Sequence, residues 1–306
     1  MNCSRATVHN VIRFAQSVGL VVQAVHGRGY RLAEPVSWLD FERLAVELSR
    51  RGIALQSFDQ LPSTNACMLQ WVARDVPCRA PQRALAVAEW QTQGRGRRGR
   101  DWHAGLGGGL TFSFLWRSAR PAALLSGLSL AVGAILVKVL QDLGLSGARV
   151  KWPNDIQVSG AKLAGVLIEL ASDRLASDVL APSTAVIGIG INVSGAAALT
   201  RQVGQPATDL QAHLGRIDRN DLLLALAAAL NAGLERFEGE GFAAFQDAWH
   251  ACHAQQGQPV CMHINAHESV CGVVLGVDAQ GALLLETSTG IRAFHSGEVS
   301  LREFRP

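Results

Sequence analysis

The sequence predicts an α+β fold in which a mixed sheet with helices precedes a small all-β barrel. Between about residues 53 and 255, strand-like and helix-like segments alternate, and neighbouring strands are joined by short turns. That order is typical of a mixed sheet rather than of regular βαβ winding. From residue 258 onward the segments are short and strand-like, with turn residues such as Asp278-Ala279-Gln280-Gly281 between them, as in a small barrel.

Hydrophobic periodicity places the individual elements. We predict helices over 40–51, 65–74, 124–143 and 221–238, the last capped by Asn220 or Asp221, and strands over 85–90, 111–116, 150–152, 156–158, 164–170 and 185–193. We predict barrel strands over 260–264, 269–277, 282–286, 291–294 and 299–301.

Composition narrows the class of protein. The chain has 306 residues, 48% hydrophobic and 17% charged, so it can bury a sizeable core and is not disordered as a whole. A net charge of +3 is too small for a general nucleic-acid coat, so any anion site must be local. Ser, Gly and Lys interrupt the apolar stretch 124–140, which favours a core helix over a membrane span. Six Cys without a C-x-x-C pair predict free, mostly buried thiols in a cytoplasmic protein.

The N-terminal segment reads as a helix followed by a hairpin. Residues 4–18 keep helical spacing, with Ser4 placed as the N-cap and Gly19 as the stop. Short strands over 20–25 and 30–32 then surround a glycine turn. This order is typical of the recognition helix and wing of a winged helix-turn-helix. Only three residues precede the helix, so we expect an incomplete unit without a DNA-binding role.

The densest local signal is the segment Gly94-Arg95-Gly96-Arg97-Arg98-Gly99-Arg100. It formally contains G-x-G-x-x-G, but no helix follows, so the Rossmann interpretation fails. An Arg/Gly loop between strands can bind a nucleic-acid backbone or close over a polyphosphate and its charged transition state. A solvated basic loop without a ligand is the third interpretation.

Lysine is used sparingly and in places that suggest chemistry. Only three Lys, at 138, 151 and 162, stand against 25 Arg. Lys151 opens Lys151-Trp152-Pro153-Asn154-Asp155, a rigid turn because Pro fixes its own φ and restricts the residue before it. Its ammonium, amide and carboxylate suit a nucleotide phosphate with Mg²⁺, although Asn-Asp is also ordinary turn chemistry. Lys162 begins an apolar strand, where it either meets an anion or reaches to solvent.

Two further polar segments flank these. Ser63-Thr64-Asn65 precedes a helix, and N-capping accounts for only one of its hydroxyls, which leaves ligand binding open. In Gly188-Ile189-Gly190-Ile191-Asn192 the glycines allow close backbone approach on a buried strand. No standard zinc spacing is present among the candidates His250, Cys252, His253, Cys261 and His263, so we expect core or surface roles for them.

In their order and spacing these segments resemble biotin–protein ligases, specifically the bifunctional bacterial type that also represses the biotin operon. The similarity runs from about residue 3 to 303. It implies a catalytic domain like that of class II aminoacyl-tRNA synthetases, an SH3-like C-terminal barrel and a remnant winged helix. The expected domains are residues 1–36, 37–255 and 256–306.

The resemblance also implies a reaction and the residues that carry it. Biotin's carboxylate attacks the α-phosphorus of ATP, with Mg²⁺, and a lysine of the biotin carboxyl carrier domain of acetyl-CoA carboxylase then displaces AMP. Lys162 and Arg97 would be catalytic. Biotin would be bound by Ser63, Thr64, Asn65, Gln91, Arg95, Gly96, Arg97 and Lys162. ATP would be bound by Arg97, Arg98, Arg100, Lys151, Asn154, Asp155 and Asn192, with Mg²⁺ near Asp155.

Other functions remain open at this point. A lipoate or octanoate ligase or transferase of related fold is the nearest alternative enzyme, and a biotin-sensing DNA-binding regulator is an alternative of another class. The segment Gln205-Pro206-Ala207-Thr208 offers no aromatic residue, so we assign no residue that stacks on adenine. The resemblance further suggests a ligand-promoted homodimer, and the interrupted apolar stretch 124–140 leads us to expect no contact with membranes.

Overall fold

The computed structural model describes residues 4–74, 81–171, 181–197, 200, 205–263, 268–295 and 300–303. The helices are α1 (Arg5–Ser17), α2 (Phe41–Ser49), α3 (Thr64–Arg74), α4 (Leu128–Asp142), α5 (Gln211–Leu214), α6 (Arg219–Glu240) and α7 (Gln246–Cys252). The strands are β1 (Val22–Val25), β2 (Gly29–Leu32), β3 (Ala54–Leu61), β4 (Arg83–Gln91), β5 (Gly94–Arg95), β6 (Asp101–Trp102), β7 (Gly109–Ser118), β8 (Ala148–Lys151), β9 (Asp155–Val158), β10 (Ala161–Ala171), β11 (Ser183–Asn192), β12 (Pro259–His263), β13 (Ser269–Val277), β14 (Leu283–Thr287), β15 (Gly290–Phe294) and β16 (Ser300–Glu303).

A seven-stranded mixed sheet forms the centre of the protein. Its strand order is β3-β4-β7-β11-β10-β9-β8, and β3 and β4 are parallel whereas the other neighbours are antiparallel. The predicted α+β class and mixed sheet are therefore confirmed. Both faces of the central strands are buried, which explains why they read as continuous apolar runs rather than as alternating ones.

Helices cover the two faces of this sheet unequally. On one face α4 and α6 pack in the main core with alternate side chains such as Phe112, Phe114 and Trp116. On the other face Met68 of α3 packs against Ala84, Ala86, Leu115 and Val186. The stretch Ala122–Asp142 is long and apolar enough to cross a membrane, but α4 is buried along most of its length, as predicted for a core helix.

The N-terminal helix and hairpin form as predicted. Ser4 Oγ accepts a hydrogen bond from Thr7 N-H, and Gly19 ends the helix at φ +99°, a conformation that favours glycine. Strands β1 and β2 pair in an antiparallel hairpin. The unit contacts the central domain through a hydrogen bond of 2.7 Å from Leu106 N-H to the Val18 carbonyl.

The C-terminal residues form a five-stranded antiparallel sheet of order β15-β14-β13-β12-β16. The predicted strand ends at Ile264 and Val299 lie outside the described residues. Here the prediction of free thiols is wrong for one pair, because Cys261 and Cys271 face each other across β12 and β13 and form a disulfide. Their separation of ten residues carries no signal until the strand register is known. Cys67 and Cys252 are free, and Cys3 and Cys78 lie outside the described residues.

Some local predictions are corrected by tertiary structure. The N-cap of α6 is Asp218, whose side chain accepts from Asn220 N-H and Asp221 N-H, and neither Asn220 nor Asp221 has this role. Edge strand β3 was not predicted, because its alternating exposed and half-buried pattern carries a weak apolar signal. Helix α7 is only seven residues long, too short for its periodicity to stand out.

Candidate active site

A cavity of about 620 Å³ opens at one end of the central sheet. Every residue to which the sequence assigned a ligand role lines it, although those residues come from six separate parts of the chain. They are Ser63, Thr64, Asn65, Gln91, Arg95, Gly96, Arg97, Arg98, Arg100, Lys151, Asn154, Asp155, Lys162 and Asn192. The structure adds Trp102 and Thr111 to the lining, which sequence reasoning missed.

One end of the cavity is polar and uncharged. Gln91 Oε1 accepts from Thr64 N-H at 2.7 Å and from Thr64 Oγ1 at 3.0 Å, so the Gln91 amide nitrogen is directed away from α3. The buried Ser113 hydroxyl lies 2.7 Å from Thr64 Oγ1 and also contacts Asn65 Oδ1. Fixed amides and hydroxyls of this kind can recognise a neutral ligand group that has both donors and acceptors.

Glu169 ties this polar end to the Arg/Gly loop. Its Oε2 accepts from Asn65 Nδ2 at 2.9 Å and from Arg95 Nη2 at 2.7 Å. Asn65 Nδ2 also donates to the Leu167 carbonyl at 3.2 Å. The amide of Asn65 is therefore held in one orientation, with its oxygen toward Ser113.

The two glycines of β11 make room for side chains that form the cavity wall. A Cβ at Gly188 would overlap the Asn65 amide, and a Cβ at Gly190 would overlap the Trp102 indole. The predicted close approach at this strand is confirmed. Because β11 is central to the sheet, the position of these two walls is fixed by rigid backbone.

The opposite end of the cavity is cationic. Lys162 Nζ forms an ion pair of 2.7 Å with Asp155 Oδ1 and lies 5.9 Å from the centre of the Trp102 ring. Arg97 Nη1 donates to Asn154 Oδ1 at 3.2 Å. Burial lowers the pKa of Arg97, and the carboxylate of Asp155 partly opposes this shift. The guanidinium is therefore a partly desolvated cation, which binds an anion more strongly than an exposed one does.

The Arg/Gly loop itself is a short irregular hairpin. Strands β5 and β6 pair across it, Gly96 N-H donates to the Arg100 carbonyl at 2.6 Å, and Arg98 takes a left-handed conformation at φ +60°. Within the described residues, no carboxylate forms an ion pair with Arg98, Arg100 or Lys151. These cations are available to an anionic ligand.

Asn192 closes the cavity beside Lys162. Its Nδ2 donates to the carbonyls of Lys162 and Thr208 at 3.3 and 3.1 Å, and its buried Oδ1 has no partner within the described residues. A buried unpaired acceptor is costly, so a donor on a ligand would be favourable there. The segment after β11 returns to the same place, since Lys162 N-H donates to the Pro206 carbonyl at 2.9 Å.

Comparison with known proteins identifies this arrangement. Residues 59–192 match the biotin/lipoate A/B protein ligase family, and residues 257–302 match the biotin protein ligase C-terminal domain. Over 302 residues the chain is 35% identical to the bifunctional ligase/repressor BirA of Escherichia coli, an alignment that covers 99% of this chain and 90% of that protein. The chain belongs to the biotin protein ligase family.

Other members show the same relationship in sequence and in structure. The biotin–[acetyl-CoA-carboxylase] ligase of Paracoccus denitrificans is 31% identical over 221 residues, which is 71% of this chain and 89% of that protein. The biotin protein ligase of Aquifex aeolicus, solved in complex with biotin and ATP, superposes with a TM-score of 0.69 at 29% identity. The superposition covers 82% of this chain and 99% of the Aquifex aeolicus chain. The fold described above, with its mixed sheet and small C-terminal antiparallel sheet, is thus the biotin protein ligase fold.

Sequence reasoning missed the residues that organise this ligase site from a distance. Ser113 and Glu169 lie within β7 and β10, and Trp102 lies on the short strand β6. None of them is part of a compact motif. The available signal was a polar residue type within an otherwise apolar strand. It marks Ser113 and Glu169 but does not say which residues they contact.

Proposed function

We propose that this protein is an ATP-dependent biotin–protein ligase that forms biotinyl-5′-AMP and transfers biotin to a lysine of the biotin carboxyl carrier domain of acetyl-CoA carboxylase. One observation carries the proposal: a single cavity joins a neutral polar end to a cationic end. Biotin has a neutral ureido ring at one end and a carboxylate at the other, and the carboxylate must meet the α-phosphate of ATP.

The neutral end is assigned to the ureido ring. A ureido group presents two N-H donors and a carbonyl acceptor, and the hydroxyls and amides of Ser63, Thr64, Asn65 and Gln91 provide complementary groups. The ion pair of Arg95 with Glu169 holds the Arg/Gly loop, including Gly96 and Arg97, beside this end. Ser113 and Glu169 act on biotin through the residues they orient.

The cationic end is assigned to adenylation. Attack of a carboxylate on a phosphate brings two anions together, so the transition state needs fixed positive charge. Lys162 and Arg97 supply it at the reacting atoms, and Arg98, Arg100, Lys151, Asn154 and Asn192 bind the nucleotide. Asp155 and Asn154 offer oxygen ligands that suit Mg²⁺, which usually binds through one or two carboxylates together with substrate phosphates and would neutralise phosphate charge here.

The second half of the reaction needs protection from water. The adenylate is a mixed anhydride, and it hydrolyses unless the site excludes water until the acceptor amine arrives. A glycine-rich loop that carries Arg residues can both cover the adenylate and stabilise it. The amine then attacks the acyl carbon, the bond to the phosphate oxygen breaks, AMP leaves and the amine proton passes to solvent.

The finer domain assignments belong to the same proposal. We divide the chain into an N-terminal unit (1–36), a catalytic domain like that of class II aminoacyl-tRNA synthetases (37–255) and an SH3-like domain (256–306). The hairpin β1-β2, the seven-stranded sheet and the five-stranded sheet each lie within one of these ranges, which supports the division. We also propose a cytoplasmic location and a ligand-promoted dimer. Sedimentation in the presence of biotin and ATP tests the dimer. A sedimentation coefficient that equals the value of a monomer at every protein concentration would contradict it.

Lipoate or octanoate ligation is the nearest alternative, since one family description covers both classes. The Arg/Gly loop, the match of residues 257–302 to the biotin protein ligase C-terminal domain and the polar end of the cavity favour biotin. The choice of substrate is tested by ATP–pyrophosphate exchange without a carrier protein, measured in turn with biotin, lipoate and octanoate. Exchange with lipoate alone would keep the mechanism and change the substrate, and no exchange with any acid would contradict the proposed chemistry.

Operator binding is the second candidate function. The helix–hairpin unit α1-β1-β2 and the repressor activity named for the Escherichia coli relative favour it, whereas the sequence led us to expect its absence. A mobility-shift titration with a biotin operator, in the presence of biotin and ATP, decides the matter. Tight and specific binding would contradict that expectation.

A further inference from the structure

The turn between β13 and β14 of the C-terminal sheet contacts Trp152, which lines the cavity. Trp152, in the Lys151–Asp155 segment, is 3% exposed, and its indole N-H donates to the Gly281 carbonyl at 3.1 Å. This hydrogen bond is buried, so a carbonyl left without its donor there loses its partner with no compensation from water.

The turn that presents this carbonyl is held rigidly. Asp278 Oδ1 accepts from Gln280 N-H at 2.9 Å and from Ala282 N-H at 2.8 Å, and Gly281 N-H donates to the Asp278 carbonyl at 3.0 Å. Gly281 has φ +81°, and a Cβ on it would lie 3.0 Å from Gly127 Cα. The backbone therefore approaches α4 as closely as glycine permits.

The start of α4 forms hydrogen bonds both to the turn around Gly281 and to the Lys151–Asp155 segment. Ser126 Oγ, just before the helix, donates to the Gln280 carbonyl at 2.6 Å. Ser129 Oγ, in its first turn, donates to the Pro153 carbonyl at 3.2 Å. The turn, the helix start and the Lys151–Asp155 segment are thus joined by three hydrogen bonds that involve no ligand-binding side chain.

The segment so held carries the groups that orient the cations. Asn154 fixes Arg97 through its Oδ1 and is itself tied to the Val166 carbonyl at 2.8 Å. Asp155 pairs with Lys162. A shift of the segment would displace Arg97 and Lys162, the two cations that the proposed function places at the phosphates. None of the hydrogen bonds described here joins Trp152 to the residues of the neutral end, so we expect that end to stay in place.

We infer that Trp152 is a positioning residue, and that the Gly281 turn of the C-terminal sheet uses it to set the geometry of the ATP end of the cavity. The inference rests on the proposed function.

The test compares three variants by steady-state pyrophosphate exchange, with ATP and biotin varied separately. Trp152→Phe keeps an aromatic ring but removes the indole N-H donor. The KM for ATP should rise about tenfold because the buried carbonyl loses its partner, while the KM for biotin stays within twofold. Gly281→Ala should give the same selective effect. Gly290→Ala is the control, since Gly290 also has positive φ (+109°) but a Cβ there meets nothing within 4 Å. It should leave both constants unchanged.

The outcomes separate the inference from the function on which it rests. Wild-type exchange with an unchanged KM for ATP in Trp152→Phe would overturn the inference and leave the function intact. Equal changes in the KM for ATP and the KM for biotin, or the same rise in the KM for ATP in Gly290→Ala, would indicate general destabilisation. Either result would also overturn the inference. If the wild type shows no exchange, calorimetric ATP binding is compared in the same variants, and equal affinities would reject the positioning role.

Discussion

Lys162 Nζ and Asp155 Oδ1 lie 2.7 Å apart and join the two paired strands of the β9–β10 hairpin, where both residues line the cavity. Both side chains are partly exposed, at 28% and 21%, so the pair contributes little to folding stability. Its effect is on geometry, because it holds the ammonium in the cavity rather than in solvent. Asp155 therefore has two roles in our proposal, positioning Lys162 and supplying an oxygen ligand beside the phosphates.

The first prediction concerns Lys162. Lys162→Ala should lower the rate of biotin-dependent pyrophosphate exchange about 100- to 1,000-fold, the usual loss when one preorganised group at a developing charge is removed. Lys138→Ala is the matched control, because Lys138 is exposed and pairs with Asp142 on α4, away from the cavity. Full exchange activity in Lys162→Ala would contradict its catalytic role, and a loss in Lys138→Ala would indicate damage to the fold.

The second prediction concerns the glycine of β11 beneath Asn65. Gly188→Ala introduces a Cβ that overlaps the Asn65 amide, and Asn65 cannot yield without losing its bonds to Glu169 and Ser113. We expect about a tenfold or greater increase in the KM for biotin, since such overpacking commonly costs about 1–3 kcal/mol. Gly239→Ala, at an open position of α6 where nothing lies within 4 Å, is the control. Equal biotin affinity in Gly188→Ala and the wild type would refute the assignment of Asn65 to the biotin end.

The third prediction concerns the tie between Glu169 and Arg95. Glu169→Gln keeps an oxygen for Asn65 but removes the negative charge that pairs with Arg95. Because the Arg95 side chain is 42% exposed, its ion pair contributes little to binding. The rate of biotin dissociation should rise only about two- to fivefold, and by less at high salt. Stopped-flow measurement of biotin release checks it. Glu47→Gln, which breaks exposed ion pairs on α2, should leave the rate unchanged.

The chemistry of the site could be predicted from the sequence because it is concentrated in contiguous motifs. Gly94–Arg100 and Lys151–Asp155 place several ligand groups on a few residues each, and Lys162 is unusual in a chain with three Lys. The ligand residues that the family resemblance implied all line one cavity. The roles assigned to them are still predictions.

Groups that act across the fold could not be predicted in this way. Glu169 binds Asn65, which is 104 residues away, and the Trp152 indole binds Gly281, which is 129 residues away. Cys261 and Cys271 pair because a strand register sets them opposite one another. Each of these contacts depends on which strands become neighbours, and periodicity contains no information about that.

The fourth prediction concerns the buried ion pair of Arg219 and Glu89. Arg219 is fully buried, and besides Glu89 it donates to the carbonyls of Ser37 and Gly109 at 2.7 and 2.9 Å. Arg219→Met leaves the buried Glu89 carboxylate with the Leu39 N-H but without a cation, so the free energy of unfolding should fall by about 3–5 kcal/mol. Urea denaturation measures this change. Arg236→Met, which breaks an exposed pair with Glu240, should change it by less than about 1 kcal/mol.

The last prediction concerns pH and His253. Burial lowers the pKa of this imidazole to about 4, and the nearby His250 adds to the shift. The ring is stacked on Trp249 at 4.2 Å between centroids, and the adjacent Ala254 N-H donates to the Val150 carbonyl. The folded protein therefore holds His253 neutral, while in the unfolded chain it titrates near its ordinary value of about 6.5.

Because the pKa of His253 is lower in the folded protein than in the unfolded chain, the free energy of unfolding falls as the pH falls. Above pH 6.5 both states are neutral and His253 has no effect, whereas between about pH 6.5 and 4 the unfolded state binds the extra proton and is favoured. Between pH 7 and pH 5 this single group should lower the free energy of unfolding by about 2 kcal/mol. His253→Phe, which keeps an aromatic ring against Trp249, should remove that part of the pH dependence in urea titrations. An identical slope in the variant and the wild type would show that His253 is not the group responsible.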